Sequence, residues 1–149
     1  MILRLAQLQD LSILRIFEQG VIAAERPFAL NLKAGDIYYY DIEALIKDDC
    51  SALIVAEQDG ELLACGYAKL QDSKQHIHPD KYAYLGFMYV VPQQRGKQII
   101  DKVIKALIAW AADQGVSAFE LDVYSTNESA IRAYNRLGFK PNLVQMIKL

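Results

Sequence analysis

"YLGFMYVVPQQRGKQII", residues 84–100, changes its period halfway along. Up to Val91 it is dense in aromatic and β-branched residues, the composition of a strand. Pro92 ends that run because it has no N–H to give to a sheet. From Gly96 onward Ile100, Val103, Ile104, Leu107 and Ala111 recur at i, i+3, i+4 spacing, with Asp101, Lys102, Lys105 and Asp113 mostly opposite. That stripe predicts a long amphipathic helix over 96–114, closed near Gly115. Where a strand passes through a loop into a helix, the first helical N–H groups lack partners and the helix dipole adds positive charge. Such an end attracts anions. Arg95 and Lys97 add charge beside it, and Gly96 lets backbone approach a ligand, although a Gly here also serves as a plain turn residue. Gly86, inside the strand, marks a bulge or a close approach by another backbone or a ligand.

Upstream, "SALIVAEQDGELLACGYAKLQD", residues 51–72, holds two β-like runs around Asp59-Gly60, a dipeptide that supplies the positive φ angles of a tight hairpin. "ILRLA", residues 2–6, predicts a short strand, and Asp10 an N-cap for a helix carrying Leu11, Leu14, Ile16 and Phe17. "ERPFALNLKAGD", residues 25–36, and "SKQHIHPD", residues 73–80, predict loops, with a short helix within "YYYDIEALIKDD", residues 38–49. Downstream, "SAFELDVY", residues 117–124, predicts a strand with Phe119, Leu121 and Val123 on one face and Glu120, Asp122 and Tyr124 on the other. "NESAIRAYNRLG", residues 127–138, predicts a helix capped by Asn127 or Ser125 and closed by Gly138. "LVQMIKL", residues 143–149, predicts a last strand. The sum is one α+β domain over 1–149, a mostly antiparallel sheet with helices on its faces.

The 149 residues, 53% of them hydrophobic, suit one buried core, and nothing in the composition marks a linker. Sixteen basic against eighteen acidic residues leave a net charge of -2 without a Lys/Arg run, so nucleic acid is not an expected partner. No apolar run approaches the roughly 20 residues of a membrane helix, and the first residues lack a signal peptide's pattern. A cytoplasmic protein is expected. Cys50 and Cys65 lack metal or disulfide spacing and are expected as small buried hydrophobes. His76 and His78 have no Cys or carboxylate in register, so they predict a solvated loop and no metal site.

The order of strand, loop, long helix and strand, followed by "NESAIRAYNRLGF", resembles the GNAT superfamily of acetyl-CoA-dependent N-acetyltransferases. The resemblance is specific over about the last 65 residues and rests on element order before them. It implies a central twisted sheet splayed at a bulged strand, with acetyl-CoA between the splayed strands. The family's pyrophosphate loop has Arg or Gln, two residues, Gly, one residue, then Gly or Ala. Arg95, Gly96, Lys97, Gln98, Ile99 and Ile100 align with it, and Gln98 and Ile100 stand where small residues are usual. The resemblance further implies pantetheine contacts from the backbone of Met88, Tyr89, Val90 and Val91 near a bulge at Gly86–Tyr89, and from Asn127. Ala130 and Tyr134 match the family's closing motif, four apart on one helix face. There Tyr134 would protonate the leaving thiolate; on its residues alone it is open also to a reading as an amphipathic core Tyr, and Asn127 to one as a helix cap.

The implied reaction is direct attack of a primary amine, from a small molecule or a peptide, on the acetyl carbonyl. Many relatives hold a general-base Glu on the bulged strand where this chain has Gly86. Glu25 in the first loop, Asp122, and Tyr82, Tyr84 or Tyr124 acting through water are the alternatives. Arg26 and Lys33 could pair with an acidic group on the acceptor, and Tyr38, Tyr39 and Tyr40 could form an aromatic wall. The contrasting reading is a catalytically inactive CoA-binding or sensory module on the same fold. The resemblance also allows a homodimer.

Overall fold

Asp59 and Gly60 take φ angles of 52° and 80°, closing the hairpin between β2 (Ser51–Gln58) and β3 (Glu61–Asp72) in the computed structural model, which describes all 149 residues. β1 (Ile2–Leu5) pairs with β2, and β3 pairs with β4 (Lys81–Val90), all antiparallel. β5 (Phe119–Glu120) joins β4 in parallel, giving a five-stranded sheet in the order β1-β2-β3-β4-β5. A parallel neighbour needs a crossover, and the helix predicted from its apolar stripe provides it: α3 (Ile99–Asp113).

The sheet carries a core on each face, because strand residues point alternately to opposite sides. On one face Ala64, Ala68, Ala83 and Leu85 meet Val103, Ile104, Leu107 and Ala111 of α3, and Tyr134 of α4 (Glu128–Arg136) packs there together with Leu137 and Phe139 just after it. On the other face Val55, Cys65 and Phe87 meet Leu14, Phe17 and Val21 of α1 (Leu11–Glu25) and Ile42 of α2 (Ile42–Lys47). The absence of a side chain at Gly20 lets α1 sit on Tyr89, where a Cβ would run into the ring. No helix is long and apolar enough to cross a membrane.

Several expectations are corrected. Asp10 does not cap α1 with its side chain; its carboxylate takes Arg4 at 2.8 and 3.0 Å and the backbone N–H of Gln7 at 2.7 Å, tying β1 to the turn before the helix. Ile16 is exposed, because it falls outside the stripe set by Leu14, Phe17 and Val21. Cys50 is exposed in the turn before β2, whereas Cys65 is buried. The predicted strand over 117–124 pairs only at Phe119 and Glu120, and residues 143–149 form no strand at all. Both segments have strand composition and lack a neighbouring chain to bond with.

Candidate active site

β4 changes sides partway along. Cys65 pairs with Tyr89 and Tyr67 with Gly86, so Gly66 alone opposes Phe87 and Met88, a β-bulge at the place the resemblance implied. Phe87 adopts φ 57°, a left-handed conformation that costs a bulky residue about 1–2 kcal/mol. Stacking on Tyr40, at 4.5 Å between ring centres, and near-complete burial hold it there. After the extra residue the pleat is out of phase. Leu85 and Met88 face α3, while Phe87 and Tyr89 face α1.

Beyond the two pairs Ala83–Phe119 and Tyr84–Glu120, β4 and residues 121–124 share no ladder. The ladder therefore stops at the carboxyl ends of two parallel strands, where α3 and α4 begin, the usual position for ligands in such units. Before α3, Gly96 takes φ 81° and Gln98 takes φ 58°, ψ 26°, so the helix starts at Ile99, later than predicted. No side chain caps α3, which leaves its first N–H groups without side-chain partners. Arg95 Nε donates to the Val90 carbonyl at 3.1 Å with its guanidinium 5.8 Å from the Tyr89 ring centre, and Lys97 Nζ donates to Gln94 at 3.1 Å. The two departures from the family pattern are absorbed differently. Gln98 keeps the left-handed backbone with its side chain exposed, and Ile100 turns into the core against α3's neighbours.

Asn127 Oδ1 accepts from Ala130 N–H at 3.3 Å and so caps α4. Ala130 is half-buried, and Tyr134 packs edge-on to Phe139 with ring centres 6.2 Å apart. Burial raises the Tyr134 pKa, and the negative charge of Glu25 raises it further. Glu25 is the last residue of α1 and not, as expected, part of the following loop. Burial raises its own pKa, partly offset by the nearby Tyr39 hydroxyl. The same carboxylate raises Tyr39, Tyr40, Tyr84 and Tyr124 after desolvation has done so. One carboxylate thus lies within electrostatic reach of five tyrosines drawn from the segment before α2, from β4, from residue 124 and from α4.

Two residues that the sequence reading passed over organise this cluster. Glu18, buried on α1, accepts the backbone N–H groups of Tyr39 and Tyr40 at 2.8 and 2.7 Å and fixes the aromatic segment against the helix. Tyr67 covers Gly86, filling the space where a side chain on β4 would project. A buried Glu in an amphipathic stripe was a readable anomaly; the Tyr67–Gly86 pairing depends on the bulge and was not. A pocket of about 200 Å³ lies beside Tyr39, Tyr40 and Tyr67, with Asp41, Asp48 and Lys69 on its rim.

Within this group Tyr84 donates to Asp122 at 3.0 Å, so that pair is mutually satisfied. The remaining candidates lie elsewhere. Tyr82 sits at the outer start of β4 opposite Gln71, and Tyr38 is exposed. The Arg26 guanidinium donates to the carbonyls of Lys33 and Gly35 at 2.9 and 2.8 Å, which ties it to its own loop. His76 and His78 are exposed in the loop between β3 and β4.

A bulged strand parting from a parallel neighbour, with an uncapped helix after it, is the architecture of one class of acyl-transfer proteins. Residues 20–139 match the family model described as "Acetyltransferase (GNAT) family", and the chain belongs to that family. Among curated relatives, a mycothiol acetyltransferase of Paenarthrobacter aurescens is 30% identical over 147 residues, covering 90% of this chain and 44% of the relative. The chain spans less than half the length of the curated relatives it matches. Among solved structures, a mutant BH1408 protein from Bacillus halodurans superposes with TM-score 0.87 at 22% identity, covering 100% of this chain and 98% of that one. A predicted acetyltransferase from Clostridium acetobutylicum, solved with acetyl-CoA, superposes with TM-score 0.73 at 17% identity over 99% and 94% of the two chains.

Proposed function

We propose that this chain transfers the acetyl group of acetyl-CoA directly to a primary amine of a small molecule or peptide. The observation that carries this reading is the end of the β4 ladder before residues 121–124, with the uncapped start of α3 beside it. There the pyrophosphate would lie on the backbone of Gly96 to Ile100, with Arg95 and Lys97 beside it. The pantetheine arm would take the backbone of Met88 to Val91 and the Asn127–Ala130 turn. The acetyl carbon then stands between Tyr134 on one wall and the Glu25–tyrosine cluster on the other.

The amine nitrogen forms the new N–C bond as the C–S bond breaks; the amine loses a proton and the thiolate gains one. An amine with pKa near 10.4 costs about 4.6 kcal/mol to neutralise at pH 7, so a base has work to do. Glu25, whose pKa is raised by burial, is shifted in the direction a general base needs. It acts across the acceptor pocket or through one water. Tyr134, kept protonated by burial and by Glu25, is the donor to the leaving sulfur. The field of Glu25 among tyrosines suits an incoming cation, and aromatic faces add attraction for it.

Tyr67 over Gly86 favours a second reading, because the usual base position is filled by a ring: a module that binds acetyl-CoA without turning it over. Incubation with acetyl-CoA and a panel of amines separates the two. Free thiol appearing with an acetylated amine supports transfer; tight acetyl-CoA binding without thiol release on any amine supports the binding module.

A further inference from the structure

The pocket beside Tyr39, Tyr40 and Tyr67 carries three charged side chains, Asp41, Asp48 and Lys69. The two carboxylates have duties within the fold. Asp41 caps α2 by accepting the Ala44 N–H at 3.1 Å, and Asp48 Oδ1 accepts the Cys50 N–H at 2.8 Å in the turn before β2. Lys69 has no such duty. It is half-buried, yet it forms no ion pair, whereas the more exposed Lys47 and Lys81 pair with Glu43 and Asp72. An ammonium partly withdrawn from water and left without a partner gains most from an anion brought by a ligand.

Its position gives that ligand an orientation. Lys69 follows Tyr67 by two residues on β3, so both side chains project from the face of the sheet that carries Phe87 and α1. Across the ladder Tyr67 pairs with Gly86 and Lys69 with Tyr84. Lys69 therefore stands about 7 Å along β3 from the ring that closes the Gly86 position. Tyr40, on the same pocket, stacks on Phe87 of the bulge. A molecule whose amine lies at the bulge thus reaches Lys69 with its other end. Arg26 does not compete for that end, since its own loop holds it.

The charge of the site selects among anions. One ammonium flanked by Asp41 and Asp48 suits a single negative charge, while a phosphate dianion meets two like charges at the rim. A space of about 200 Å³ admits a small head group and not a folded chain. We propose that Lys69 is a specificity-determining residue that binds a carboxylate of the acceptor, so that the acetylated amine belongs to a molecule of the amino-acid class. The proposal rests on the acetyl-transfer reading for the word acceptor; the preference for a carboxylate is a binding property measurable without turnover.

The test pairs β-alanine, 4-aminobutanoate and the common L-amino acids each with its own carboxamide, which keeps the amine and removes the negative charge. Binding of each is measured by calorimetry to the full chain saturated with CoA, for the parent, Lys69→Gln and Lys69→Arg. The Lys69 side chain is partly exposed and holds no other residue, so both variants keep the parent's circular dichroism and CoA affinity. In at least one pair the acid is expected to bind the parent about tenfold more tightly than its amide. Lys69→Gln abolishes that difference by weakening the acid alone, and Lys69→Arg retains it. Equal or absent binding of acid and amide in every pair, or a preference that survives Lys69→Gln, overturns the proposal. A preference that depends on Lys69, without thiol release from acetyl-CoA on any amine, refutes the acetyl-transfer reading and leaves the carboxylate site standing.

Discussion

The ring of Tyr67 lies over Gly86 so closely that a Cβ on Gly86 would meet Tyr67 Cε1 at 2.7 Å and its hydroxyl at 2.8 Å. The position from which a carboxylate would reach the acceptor in many relatives is thus sterically closed. Gly86→Glu therefore destabilises the fold by overpacking, by about 1–3 kcal/mol. Adding Tyr67→Ala to it restores most of the loss. Chemical denaturation of both variants checks this; a Gly86→Glu protein as stable as the parent contradicts the closed-site account.

Glu25 is the group proposed to accept the amine's proton. Its folded pKa is raised above 4.5, so the acid limb of kcat/KM is set by Glu25 and lies above the ordinary carboxylate range. Activity is full above that pKa and is lost as pH falls through it. Glu25→Gln removes the limb and lowers kcat about 10²-fold or more at neutral pH. A pH–rate profile whose acid limb survives in Glu25→Gln assigns the base elsewhere.

Glu18 supports the acceptor side by holding two backbone N–H groups in the core. Glu18→Ala leaves both unsatisfied and costs about 3 kcal/mol. Its kinetic signature separates it from a global effect: at a temperature where the variant is folded, KM for the amine rises while acetyl-CoA affinity is kept. Equal loss of both would place Glu18 in general stability alone.

Arg4, Asp10 and Glu57 link β1, the turn before α1 and β2. The Arg4 guanidinium, followed by the Gln7 N–H, holds the Asp10 carboxyl below its usual value of 3.8 against the opposing effect of burial. A lowered folded pKa means the contribution is complete above the unfolded value and is lost as pH falls through the folded one. Asp10→Asn thus costs about 2 kcal/mol at pH 6. The gap from the parent narrows below about pH 4, which urea titrations from pH 2.5 to 6 follow directly.

Much of this architecture could be read from residues 51–124, because local rules and tertiary demands agree there. Asp59-Gly60 takes the positive φ angles its composition suggested, and the α3 stripe from Ile100 to Ala111 lies against the sheet. Gly86 was legible as a special position but not as the floor beneath Tyr67, since that contact needs the register set by the Phe87 bulge. Gln98 resisted reading for another reason. Propensity argues against a left-handed Gln, yet the loop imposes φ 58° with the side chain in solvent. Glu25 opens the segment 25–36 that reads as loop, yet α1 runs through it and ends there, one residue before the C-cap Arg26. The paired length of residues 117–124 could not be read locally, because strand composition is satisfied only when a neighbour is present.

Tyr134 is proposed to protonate the leaving thiolate in a site that holds acetyl-CoA. Single-turnover thiol release from acetyl-CoA with a reactive amine, measured for the parent and for Tyr134→Phe alongside CoA affinity for each, tests that role. The account predicts a fall in the chemical step of about 10²-fold with CoA affinity unchanged. Equal rates for the two proteins would contradict it.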